Sequence, residues 1–147
     1  MAKFETRNSK FVKTEPASVD TVRDFKDLVA WKLARELRIQ VYLLVKKFPP
    51  EERYALNTQM RRAVQSIGAN IAEGFGRYSY RENIQFCRQA RGSAFEVRDH
   101  LVTAVDAGFI TKDEFEAADT LAQRVIQTVN GYVRSTANRL TRTKEDR

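Results

Sequence analysis

Histidine and cysteine are almost missing from this 147-residue chain, which has only His100 and Cys87. A single cysteine allows no disulfide framework and no cysteine zinc site, and it points to a reducing compartment. A single histidine cannot supply the paired Glu-x-x-His motifs of a di-iron bundle within one chain. A Cys–His nucleophile system would need Cys87 and His100 to meet. They lie in one continuous helical pattern, separated by about 20 Å of helix at 1.5 Å per residue. Long apolar runs are lacking too. Nothing approaches the roughly 18 uncharged apolar residues of a membrane span, and the first residues lack the apolar core of a signal peptide. These absences predict a soluble, cytoplasmic protein of one domain that needs no cofactor or metal and is not an enzyme.

Proline is scarce as well. Three are present, at Pro16, Pro49 and Pro50, and none follows Pro50. A proline-free stretch of that length is what long helices require. Residues 1–24 show no clean period and read as an extended or mobile N-terminal arm, with Phe4, Phe11 and Val12 able to dock on another surface. A first helix is predicted over 25–47, with Ala30, Leu33, Ala34, Leu37, Val41, Leu44, Val45 and Phe48 on one face. A second apolar row on the same helix, Leu28, Trp31, Ile39 and Tyr42, calls for a partner outside the monomer.

The second helix is predicted from an Asn57 N-cap. Its surface is small-residue rich, with Gly68 permitting a close helix contact, and Gly74 or Gly76 offers a left-handed C-cap. Ser79 to Glu82 forms a capping box. Behind it Cys87, Ala90, Ala94, Val97, Leu101, Ala104 and Gly108 alternate three and four without a slip, and Gly108-Phe109-Ile110 reads as a Schellman stop. Thr111 to Glu114 is a second capping box. It opens a fourth helix running to about Leu140, before a charged tail at 141–147. The expected fold is all-α: an up-down-up-down antiparallel four-helix bundle over 25–140.

The candidates for chemistry are thin. Cys87 lies on the core seam with no base beside it and reads as an inert thiol. Glu96 and His100 make an i,i+4 pair that could orient an imidazole, although a lone histidine is usually a structural hydrogen bonder. Catalysis there would need an inter-subunit site.

Charge is more informative, because the net +7 is unevenly placed. Residues 25–50 hold six Lys/Arg against two Asp/Glu, and residues 134–147 hold five against two. Lys26, Lys32, Arg35 and Arg38 on the first helix would face Arg134, Arg139 and Arg142 if the first and last helices run antiparallel, giving a phosphate footprint. Arg81, Arg88, Arg91 and Arg98 share a row with Ile84, Phe95 and Val102. They read as an interface, or as a solvated face paired with Glu82, Glu96 and Asp99.

The segments Asp27-Leu28 … Trp31 … Ala34, Phe48-Pro49 … Glu52-Arg53-Tyr54, Arg61-Arg62-Ala63 … Ser66-Ile67 … Asn70-Ile71-Ala72-Glu73-Gly74-Phe75-Gly76-Arg77 and Phe86 … Ala90 … Gly92-Ser93 … Glu96 carry a family likeness. The sequence resembles the bacterial four-helix-bundle proteins encoded in intervening sequences of 23S rRNA genes, over about residues 25–133. That family in turn resembles the accessory protein of diversity-generating retroelements. The resemblance implies a homopentameric ring that binds RNA or DNA through phosphates and works with a reverse transcriptase. It transfers no catalytic residue. Asn70, Glu73, Gly74 and Arg77 then read as residues fixing the corner between helices two and three. Two functions stay open: a nucleic-acid-binding accessory protein, or a protein-interaction scaffold with no nucleic-acid role.

Overall fold

The computed structural model describes residues 22–145; the expected arm, with Phe4, Phe11 and Val12, lies outside them up to residue 21. Four helices and no strand are formed among the described residues: α1 (Val29–Val45), α2 (Leu56–Phe75), α3 (Tyr80–Asp106) and α4 (Lys112–Glu145). Each packs against the next, and α1 closes on α4. The start of α1 lies beside residues 128–139 of α4, and Lys47 after α1 reaches Glu114 at the start of α4, so this pair is antiparallel. None of these helices is long and apolar enough to cross a membrane.

The expected seams form the core. Leu37, Val41, Ile67, Ala90, Ala94, Val97, Leu101, Ala122 and Val125 are fully buried. Gly108 takes φ 75°, the one positive φ among the described residues. The Phe109 amide donates to the Ala104 carbonyl at 2.9 Å and that of Gly108 to Val105 at 3.1 Å, the paired bonds of the Schellman stop.

Boundaries differ where side chains found other work. The first helix does not begin at Phe25. Asp24 and Asp27 close a capping box on a 3-10 turn at Phe25–Asp27, and Leu28 is extended at ψ 127° before α1 starts. That bend turns Leu28 into the core, 7% exposed. Asn57 does not cap α2: its amide reaches back to the Val45 carbonyl at 3.4 Å, while Glu52 accepts from the Leu56 amide at 3.2 Å. Gly76 ends α2 in the right-handed region at φ −74°, so neither Gly74 nor Gly76 supplies a left-handed cap. The helix of the last segment runs through Glu145, so residues 141–145 are not a separate tail. Thr141 and Thr143 return hydroxyl bonds to the preceding turn, and Arg142 and Lys144 suit the negative end of the helix dipole.

The capping box at α4 is complete, with Thr111 N–H to Glu114 at 2.9 Å and Glu114 N–H to Thr111 Oγ1 at 3.1 Å. Glu114 also accepts from Lys47 Nζ at 2.5 and 2.6 Å, tying α1 to α4. The Lys47 bond, and then the Thr111 amide, hold the Glu114 carboxyl down to about 2. A depressed carboxylate stabilises the fold above its unfolded pKa and loses that contribution as pH falls through the folded one. Glu114→Gln is therefore expected to lower the melting temperature at pH 7. Between about pH 4.5 and pH 2 the difference from the parent chain should close, as followed by thermal denaturation across pH.

Candidate nucleic-acid interface

Trp31, Arg35, Arg38 and Tyr42 fall four, three and four residues apart, one stripe of α1. The contacts at its two ends place it along α2. The Trp31 ring lies 3.5 Å from where a Cβ on Gly68 would stand, and Tyr42 bonds Gln65 and lies under the Arg61 guanidinium, 4.8 Å from its ring centroid. The α1/α2 groove therefore presents Arg35, Arg38 and Arg61 between two aromatic rings. Arg61 was not singled out from the sequence. Its signal was available, since an arginine one turn from the core residue Val64 on a small-surfaced helix is free to lean across a groove.

The structure brings only part of the predicted footprint together. The starts of α1 and the last third of α4 do meet, and Arg139 stands with Asp27 and Val29 around one cavity. Arg35 and Arg38, however, follow the α2 side of α1. Lys26 pairs weakly with Asp24 at 3.9 Å. Lys32, Arg35, Arg38, Arg134, Arg139 and Arg142 form no ion pair among the described residues.

The apolar row on α1 needs correction. Leu28 belongs to the monomer's own core and cannot also face a second protomer. Trp31 and Tyr42 are half-buried against α2, and Ile39 is 51% exposed. Leu43, one turn on, is 58% exposed.

Two of the four arginines in the α3 row are committed inside the chain. Arg98 holds Asp119 through Nε at 2.7 Å and Nη2 at 3.3 Å, and Arg91 donates to Asn130 at 2.9 Å. Their partners are on α4, not Glu82, Glu96 or Asp99. Phe95 and Val102 on the same row remain 51% and 44% exposed.

The corner residues divide their work. Glu73 and Arg77 pair at 2.9 Å, and Arg77 lies over the Phe86 ring at 4.9 Å. Asn70 sits too early to act on the corner. It donates to Ser66, whose hydroxyl meets that of Ser93 at 2.8 Å across α2 and α3. At Gly74 the two helices approach closely, since a Cβ there would stand 2.9 Å from Phe86 Cβ and 3.1 Å from the Asn83 carbonyl. At Gly68 the corresponding contact is an ordinary one, so that glycine is less constrained.

Burial pushes the Cys87 thiol up to about 11, so the thiolate that nucleophilic chemistry needs does not form near neutrality. His100 Nε2 meets Glu96 at 3.2 Å, with no third metal-ligating group beside it among the described residues.

The family model of the 23S rRNA-intervening sequence protein matches residues 26–131. A crystal structure of a protein of unknown function from the S23 ribosomal protein family of Bacteroides thetaiotaomicron superposes with a TM-score of 0.67 at 22% identity, covering 71% of this chain and 98% of that one. That likeness is one of fold. No curated protein matches the chain.

Proposed function

The chain belongs to the 23S rRNA-intervening sequence protein family, and from that premise we propose that it is a non-catalytic, oligomeric accessory protein that binds nucleic acid. The family's name ties it to an RNA setting. The observation that carries the reading is the state of its basic residues. Six of the seven predicted phosphate contacts have no acidic partner among the described residues, while Arg77, Arg98 and Lys47 do. Cations kept for solubility alone would not need to lie over an aromatic ring, as Arg61 does over Tyr42, or to share its helix stripe, as Arg35 and Arg38 do.

The partners we assign are RNA or DNA, and a reverse transcriptase of a diversity-generating retroelement with its RNA, in the cytoplasm. The assembly we assign is a homopentameric ring. A ring needs two different faces on each protomer, because head-to-tail contacts are not self-complementary. Ile39 and Leu43 on α1, and Phe95 and Val102 on α3, supply two exposed apolar faces. Those same faces favour the second reading, a protein-interaction scaffold. Recovery of one stable protein partner after nuclease treatment, with no nucleic-acid binding, would establish that reading instead.

Binding through phosphates releases counterions, so log affinity should fall linearly with log salt at about −0.7 to −0.9 per phosphate. Replacing Lys32, Arg35, Arg139 and Arg142 together by glutamine should flatten the slope by about three and weaken all sequences alike, read by fluorescence anisotropy. A flat salt response in the parent chain rejects the nucleic-acid reading.

A further inference from the structure

A cavity of about 370 Å³ opens at the end of the bundle where α1 and α3 begin and α2 ends, with residues 128–139 of α4 as its fourth wall. That volume is at the small end of ligand pockets, which run from about 300 to 1,000 Å³. Phe75, Tyr80 and Tyr132 line it, and Arg139, Asp27 and the Glu73-paired Arg77 border it. The Tyr132 hydroxyl accepts from the Asn83 amide at 2.8 Å. Its own proton makes no hydrogen bond within 3.5 Å among the described residues, with the Thr136 hydroxyl nearby. Asp27 Oδ2 is occupied by the amides of Arg23 and Asp24, both at 3.0 Å, while its Oδ1 takes no bond among them.

Of the proposed phosphate footprint only Arg139 borders this cavity. An inorganic anion would gain Arg139, and Arg77 only in competition with Glu73, but would leave the aromatic wall idle and face the Asp27 carboxylate. An acyl chain would bury the Tyr132 hydroxyl proton and Arg139 without partners, which is costly. A flat heteroaromatic ring with both donors and acceptors on its edge, attached to a phosphate, suits the aromatic wall, the Tyr132 hydroxyl, Asp27 and Arg139 together. We propose that the cavity receives one unstacked nucleobase of a single-stranded nucleic acid. The ring packs on the aromatic wall, the Tyr132 proton and Asp27 Oδ1 read its edge, and Arg139 takes the adjoining phosphate. This deepens the nucleic-acid reading and rests on it. Bases inside a duplex are stacked and cannot enter a concave site, so the assignment selects single strands. Tyr78, fully exposed between Arg77 and Tyr80, offers the next base a surface to stack on.

The test uses the full chain and three labelled probes at one salt concentration: a single-stranded 12-mer, the same strand in a duplex, and a strand of equal phosphate count without bases. The base-bearing strand should bind about tenfold or more tightly than either other probe. Tyr80→Ala should remove most of that advantage, and the conservative Tyr132→Phe a smaller part, with binding to the base-free strand unchanged for both. Equal affinity for the base-bearing and base-free strands overturns the pocket and leaves phosphate binding intact. Absence of binding to all three at low salt overturns both. A nucleoside monophosphate that binds more tightly than the strand assigns the cavity to free nucleotides, which also overturns the proposal.

Discussion

Gly74→Val is expected to cost the bundle about 3 kcal/mol or more, and Gly74→Ala about 1–2 kcal/mol, although alanine is the better helix former by about 1 kcal/mol. A Cβ at this position stands 2.9 Å from Phe86 Cβ and from Asn83 Oδ1, and 3.1 Å from the Asn83 carbonyl. Two of these three atoms are held by the backbone of α3 and cannot swing aside, so α2 and α3 must separate. Overpacking of this kind costs about 1–3 kcal/mol, against which the alanine gains its helical preference and valine does not. Gly92 is the internal control. It lies exposed within α3, with nothing within 4 Å of a Cβ. Gly92→Ala should therefore stabilise by about 0.5–1 kcal/mol through the unfolded chain. Urea denaturation midpoints read both signs. If the two alanine variants move in the same direction, the close approach at Gly74 is not what holds that position to glycine.

The second large effect concerns mass. Light scattering is expected to return about five times the 17.0 kDa of one chain. Ile39→Glu and Phe95→Glu should each bring it down to a single chain without loss of helicity, because both side chains are half-exposed in the monomer and neither supports its core. Mixing the two variants is the sharper experiment. Each keeps the face the other has lost, so one head-to-tail contact per pair survives and the mixture should settle near twice the mass of one chain. A parent chain of 17.0 kDa in solution removes the ring. Mixed variants that stay monomeric remove this pairing of faces.

Much of the fold was legible because periodicity reports which face of a helix is buried. The α3 seam from Cys87 to Ala104 and the Gly108 stop follow directly from three-and-four spacing and from a glycine placed before two apolar residues. Periodicity does not say which neighbour a face meets. Leu28 was read on a helix face it does not have, since Asp24 and Asp27 close a turn of their own and rotate it inward. Arg91 and Arg98 read as an interface, or as a face paired with acids of their own helix, because only those acids are neighbours in sequence, whereas Asp119 and Asn130 become neighbours only after folding. Gly74 was read for its backbone freedom when what matters is its lack of a side chain. The end cavity had no signature, as its wall gathers residues from four helices and none is unusual alone.

The two ends of the bundle differ in kind. At one, Phe48 stacks near Phe109 at 5.5 Å, Lys47 clamps Glu114, and Asn57 seals the end of α1. At the other the helices part around the cavity, and α4 runs on beyond them. Opening is therefore expected to be graded along the axis, with amides at the clamped end exchanging more slowly than those at the open end in native-state hydrogen exchange. A ligand arriving at the open end has to displace water and a few side chains, and the fold behind it stays shut.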